Sequence, residues 1–156
     1  MKTIRCAIRK VSVAAHPEEL VRQELLSLMT AQLGYPSSLI AVEKELALLP
    51  HLKLNPSEIP DRRADILCFG KGIHPDFELY PLLLVECKAV TINSKVINQV
   101  VGYNHFVKSY FIGVANQEEI RTGWYDNSLK RYQFVPFLPT YQELIQNVTK
   151  SLQPMN

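Results

Sequence analysis

Pro81-Leu82-Leu83-Leu84-Val85-Glu86-Cys87-Lys88 decides the fold of this chain. The run is short, apolar through Val85, opened by proline and followed after Val90 by polar residues, which predicts a buried strand. Side chains alternate along a strand, so Leu82, Leu84, Glu86 and Lys88 share one face, while Leu83, Val85 and Cys87 share the other. One two-residue repeat separates Glu86 from Lys88 by roughly 6.5 Å. A carboxylate and an ammonium therefore leave the same end of a buried strand, although Glu and Lys are almost never buried without a partner or a task.

Upstream, Ile66-Leu67-Cys68-Phe69 is a second apolar block, ended by Gly70-Lys71-Gly72 and preceded by Arg62-Arg63-Ala64-Asp65. It predicts a strand from Arg63 to Phe69 with Asp65 near its start. If the two strands are neighbours, joined through His74-Pro75-Asp76, Asp65 faces Glu86 across the ladder at about 5 Å. Two carboxylates that close repel by roughly 4 kcal/mol at an effective dielectric of about 20, so positive charge has to stand between them. Lys88 alone leaves the group one charge short of neutral. A divalent cation plus Lys88 makes it positive and suited to a phosphate, and hard oxygen donors with several waters favour magnesium or manganese over zinc. The competing reading is a plain cross-strand ion pair of Asp65 or Glu86 with Lys88.

A helix follows. Asn93 or Ser94 caps it, and from about Lys95 to Val107 the residues Val96, Val100, Tyr103 and Val107 form an apolar stripe at helical spacing. Gln99 and Tyr103 are four apart and project from the same side. Tyr103 alone reads as a core aromatic, whereas Gln99, expected at the edge of the packed face, needs specific partners.

These residues resemble the PD-(D/E)XK nuclease superfamily, and within it stand-alone relatives of the N-terminal nuclease domain of type I restriction enzyme R subunits. The resemblance rests on Pro17-Glu18-Glu19 with Val21-Arg22-Gln23, on Gly34-Tyr35-Pro36, on Arg62-Arg63-Ala64-Asp65-Ile66, on Val85-Glu86-Cys87-Lys88, and on Gln99 with Tyr103-Asn104. It implies a restriction-endonuclease-like α/β fold, a mixed central β-sheet flanked by helices. It also implies that Asp65 and Glu86 hold the metal with the carbonyl of Cys87, that Lys88 orients or deprotonates the attacking water, and that Gln99 positions Lys88, the water or the nearby backbone. Glu19 matches an acidic residue that some members add to the metal shell; a glutamate in the first turn after Pro17 is also simply favoured by the helix dipole. Asp61, in the loop Pro56 to Pro60 and just beyond, also follows a proline, but the family's Arg-X-Asp pattern favours Asp65. Arg62, Arg63, Lys95 and Tyr103 are the candidates for contact with DNA. Beyond residue 116 the resemblance fades, and Gln117 stands where many relatives have glycine.

The rest of the chain fits one domain, 1–156, with 47% hydrophobic and 21% charged residues and a net charge of +2. That balance neither demands nor excludes nucleic acid. Ile4 to Ala14 alternates apolar and basic residues and predicts a leading strand or extended arm. Pro17 opens a helix with Leu20, Val21, Leu25, Leu28 and Met29 as its buried side, stopped by Gly34 and Pro36. Leu39 to Leu48 predicts a strand from which Glu43 can approach the metal, followed by a loop from Pro50 to Pro60. Ser109 to Ala115 predicts a further strand. Trp124, Tyr125 and Tyr132 read as packing against the sheet, with stacking on bases as the other possibility. Thr140 to Glu143 is a capping box opening a last helix, with Tyr141, Leu144, Ile145, Val148 and Leu152 on one side, packed on the domain or on a second subunit of a homodimer. Cys6, Cys68 and Cys87 have no metal spacing and read as reduced core residues. No apolar run is long enough to span a membrane, and Lys2, Arg5, Arg9 and Lys10 occupy the place of a signal-peptide core, so a cytoplasmic protein is expected.

The expected function is thus a magnesium-dependent (or manganese-dependent) endonuclease hydrolysing DNA phosphodiester bonds. The alternatives are a catalytically inactive nucleic-acid-binding or assembly module of a restriction or repair complex, and a structural α/β protein with a buried ion pair. No motor or specificity segment is read in the chain, so a helicase, translocase or methyltransferase is the expected partner besides DNA.

Overall fold

The computed structural model describes residues 2–45, 49 and 63–152. The expected loop 50–60, the end of the strand expected over 39–48, and the calls on Asp61 and Arg62 fall outside the described residues, as does the side chain of Leu152. Along the chain come β1 (Thr3–Arg5), β2 (Ser12–Ala14), α1 (Pro17–Ala31), a 3-10 turn (Ser37–Leu39), β3 (Ile40–Glu45), β4 (Arg63–Lys71), β5 (Leu79–Cys87), α2 (Ser94–Val107), β6 (Phe111–Ala115), β7 (Ile120–Asp126), β8 (Arg131–Val135) and α3 (Tyr141–Leu152).

The run that opened the sequence is the interior of β5, buried from Tyr80 to Cys87. That burial follows from its place in a six-stranded sheet of order β3-β4-β5-β6-β7-β8. Neighbours are antiparallel except β5 and β6, which run parallel with Leu83 opposite Phe111 and Cys87 opposite Ala115. Parallel neighbours need a crossover, and α2 supplies it. Helices α1 and α3 cover one face, packed on Ile66, Cys68, Leu83, Val85 and Cys87. On the other face α2 lays Val96, Val100, Tyr103 and Val107 against Leu67, Leu84, Ile112 and Val114. This is the mixed-sheet α/β architecture expected from the sequence, with β5 sandwiched between two apolar layers.

Pro81 sits inside β5 because the ladder slips beside it. The register between β4 and β5 shifts between Cys68 and Phe69, and Phe69 pairs with Pro81, so the missing proline N–H falls at an irregularity where no regular bond is broken.

The inward face of α1 is not quite the one its leucines suggested. Leu20 is 40% exposed, whereas Leu26 is fully buried and Leu28 only partly so. Val21, Leu25 and Met29 are buried as expected, but Glu19, Arg22 and Leu26 are buried with them, so the first turns also carry a buried charged pair. Helix α2 starts as predicted, with Asn93 Oδ1 accepting from the Val96 N–H at 3.0 Å. It ends at Lys108 in a left-handed conformation, φ 60°. Asn104 closes this end: its Oδ1 accepts from the Ser109 N–H at 2.8 Å and its Nδ2 donates to the Ser109 carbonyl at 3.0 Å. Ser109 is thereby held by the helix end, and β6 begins at Phe111, later than expected.

Between β6 and β7, Asn116 Oδ1 accepts from the N–H groups of Glu118 and Glu119, both at 2.9 Å. Gln117 sits in this turn without a positive φ, so a glycine is not required there. The β7–β8 hairpin completes the sheet; Trp124 packs on the core and Tyr132 lies beside α2, its hydroxyl 3.2 Å from Asn104 Nδ2. The capping box of α3 is formed, with Glu143 N–H donating to Thr140 Oγ1 at 3.2 Å. Leu144 and Val148 anchor α3 on its own domain.

Candidate active site

The charged end of β5 gathers side chains from four elements and from the β1–β2 turn. Ile66 pairs with Val85 in the last regular step of the β4–β5 ladder, so Asp65 and Glu86 are the next positions along that register. Beyond it Asp65 takes over from the ladder: its Oδ2 accepts the Cys87 N–H at 2.9 Å. Glu86 is buried, 3% exposed, and Asp65 is partly open, with 22% of its side chain exposed. Lys88 comes two residues after Glu86, half-buried, its backbone N–H bonded to the Ala115 carbonyl at 2.8 Å, which continues the parallel pairing with β6 and fixes the chain's direction at the site.

On the neighbouring strand Glu43 adopts φ 54°, in the left-handed region. The β3–β4 register skips it, pairing Val42 with Ile66 and Lys44 with Ala64. A glutamate is strained in that conformation, and such strain persists only where surrounding contacts impose it. Those contacts are two arginines. Arg9 binds Glu43 Oε2 at 2.9 Å and Glu19 Oε1 at 2.8 Å, and Arg22 binds Glu19 Oε2 at 2.9 Å and Glu43 Oε1 at 3.2 Å. Arg22 Nη2 also lies 3.7 Å from Asp65 Oδ1, too long for a hydrogen bond but close enough for attraction between the charges. Burial would raise the pKa of Glu43, but the hydrogen bond from Arg22 and the charges of Arg22, Arg9 and Arg63 outweigh it and hold the carboxyl below its usual range.

Arg9 reaches the cluster from a turn held firmly in place. Cys6 Sγ accepts from the Arg9 backbone N–H at 3.4 Å and from its Nε at 3.2 Å. The Ala7 N–H donates to Gln23 Oε1 on α1 at 2.9 Å, and Cys6 itself is fully buried in the core. Burial alone would raise the Cys6 thiol pKa; the hydrogen bonds from Arg9 more than offset it and lower the value.

Asp65, Glu86, Cys87 and Lys88 thus lie at one strand end, with Asp65 bonded to the Cys87 backbone. Glu19 also comes to this region, where its two oxygens pair with Arg9 and Arg22. Gln99 is exposed on α2, off the packed stripe of Val96, Val100 and Tyr103, so it is not the half-buried amide that the sequence suggested. Tyr103 is 4% exposed in the core and presents no surface to a bound strand. Arg63 lies at the surface and pairs with Glu45 at 2.8 Å, with 59% of its side chain exposed, and Lys95 is exposed in the first turn of α2. Sequence reasoning missed Arg9 and Arg22 as members of the site. The signal for Arg22 was present in the spacing Glu19, Arg22, Leu26, Met29, which puts a charged pair on the inward face of α1.

Among the described residues no three of His, Cys, Asp and Glu converge to hold a metal. Magnesium needs less than that: it keeps most of its waters and binds through one or two carboxylates. Asp65 and Glu86, at adjacent register positions, with the Cys87 carbonyl beside them, are hard oxygen donors of the kind such an ion takes. No described helix is long and apolar enough to cross a membrane.

No curated protein and no solved structure matches the chain. A family model described as the type I restriction enzyme R protein N terminus matches residues 17–139, from the first residue of α1 to just before α3, and so takes in the whole six-stranded sheet. The chain belongs to this family of type I restriction enzyme R protein N termini, and the sheet with its charged strand ends is the family's nuclease-like domain.

Proposed function

We propose that this domain is a divalent-metal-dependent deoxyribonuclease whose centre is Asp65, Glu86 and Lys88, working on DNA alongside the other subunits of a restriction-modification system in the cytoplasm. The observation that carries the reading is the strand end itself: a buried Glu86 at the register position next to Asp65, with Lys88 two residues further on. Two carboxylates brought to one strand end offer hard oxygen donors of the kind a divalent cation takes.

In this reading Asp65 and Glu86 hold magnesium or manganese with the Cys87 carbonyl. The ion supplies Lewis-acid polarisation of a phosphoryl oxygen and a more acidic water. The Cys87 N–H fixes one oxygen of Asp65, and the other lies 3.7 Å from Arg22 Nη2. In this reading the Lys88 ammonium, two residues after Glu86, would orient the attacking water and balance charge on the phosphate as it develops. Gln99 and Lys95, both exposed on α2, are candidates for contact with the nucleic acid instead of the chemistry.

The closeness of Arg22 to Asp65, 3.7 Å, favours a second reading, in which arginine replaces the metal and the domain binds nucleic acid or assembles without cutting. Incubation with supercoiled, linear and single-stranded DNA in magnesium or manganese separates the two. Cleavage by the wild type that Lys88→Ala abolishes supports the nuclease; equal background in both proteins, with DNA bound, supports the assembly module.

A further inference from the structure

We propose that Arg9, on the β1–β2 hairpin, is a positioning residue that sets how tightly this site takes its divalent cation, by competing with the cation for the field of the same carboxylates. The inference rests on the metal-binding reading above and concerns a segment outside the family match, which begins at residue 17.

Three observations point the same way. The hairpin forms its own two-stranded sheet, yet the guanidinium at its turn reaches across to bridge α1 and β3 through Glu19 and Glu43. The turn is built to deliver it, since Cys6 Sγ takes both the Arg9 backbone N–H and its Nε, while Lys10 adopts φ 58° to close the reversal. Finally, Arg9 and Arg22 share the same two glutamates, and Arg22 also leans on Asp65. With Arg9 in place, Glu19 and Glu43 are largely neutralised, and the attraction they would offer a cation beside Asp65 and Glu86 is reduced. Without Arg9, Arg22 is drawn fully to Glu19 and Glu43, and its hold on Asp65 loosens. Both effects favour the cation. The hairpin thus keeps the carboxylates assembled when the metal is absent, and weakens the metal when it arrives.

The test is manganese binding by calorimetry on the full chain, with thermal melts of each protein in chelator and in saturating manganese. Arg9→Gln removes the charge, Arg9→Met removes it while keeping the apolar stem and serves if Arg9→Gln does not fold, and Arg9→Lys restores the charge without the fork. Removing one unit charge near a divalent ion is expected to tighten binding about tenfold even under water-like screening. Arg9→Lys should return the affinity to within about twofold of wild type by the same reasoning. The neutral variants should melt lower than wild type in chelator and regain the difference in manganese. Unchanged affinity in a folded neutral variant, with a lower melt at every manganese concentration, would make Arg9 purely structural and overturn the inference. In that case loss of binding in Asp65→Asn would leave the metal reading standing. No manganese binding by the wild type or by the neutral variants would overturn both.

Discussion

Arg22→Met should cost this protein more than any surface charge change, and the structure sets the size. Arg22 and Glu19 are each 6% exposed and meet at 2.9 Å on the inward face of α1. Methionine roughly fills the stem's space but leaves Glu19 beside the core with Arg9 and the Gln23 amide as its remaining partners. Breaking a buried pair by removing one member costs about 3–5 kcal/mol. The partial exposure of Glu43, 40% of its side chain, and the rescue by Arg9 place the expectation at the lower end, about 3 kcal/mol. For a domain of this size that is a fall in Tm of about 6–12 °C, read by circular dichroism at pH 7. The pH dependence follows from Glu43. Its pKa is lowered in the folded state, so its contribution is present above the unfolded pKa and is lost as pH falls through the depressed folded value. In Arg22→Met that depression shrinks, so the gap to wild type is widest near neutral pH and narrows in acid. The double variant Glu19→Leu/Arg22→Met, with neither charge buried, should recover most of the loss. A single variant melting within about 2 °C of wild type, or a double variant no better than the single, would refute the claim that this buried pair organises α1 against the sheet.

Other expectations concern the elements that frame the site. Asn104→Ala removes the clamp on Ser109 at the end of α2 and leaves buried backbone groups without partners; chemical denaturation should show a loss of about 2–3 kcal/mol. Thr140→Ala breaks the capping box of α3 and should cost about 1 kcal/mol, with faster amide exchange confined to the first turn of that helix. Burial pushes the Cys68 thiol up to about 12 and raises that of Cys87 as well, so neither should react with a thiol reagent at pH 8 until the protein is unfolded. Rapid native labelling of either would contradict their place under α1 and α3.

The central sheet was legible because its signal is local. The apolar runs 66–69 and 82–85, the Asn93 cap and the Thr140–Glu143 box each carry their meaning within a few residues, and the strand order follows from a helix lying between two adjacent parallel strands. Asp65, Glu86 and Lys88 could be named for the same reason, as charges at the ends of buried strands. What the sequence concealed was long-range. Nothing near Arg9 says that a hairpin turn will reach Glu43, 34 positions away, and nothing near Glu43 says that it will leave the ladder at φ 54°. Leu20 looked like a core residue because leucines usually are; the face of α1 was decided instead by Glu19 and Arg22 meeting their partners. Gln99 was misjudged by a rotation of the helix small enough that only the packed stripe resolves it.

The most direct test of the nuclease reading is manganese titration of wild-type protein and of Asp65→Asn/Glu86→Gln, followed by plasmid cleavage with both under the same ions. Binding and cleavage in the wild type, with both lost in the double variant, is the predicted result. Cleavage undiminished in the double variant, or no manganese bound by wild-type protein, would contradict it.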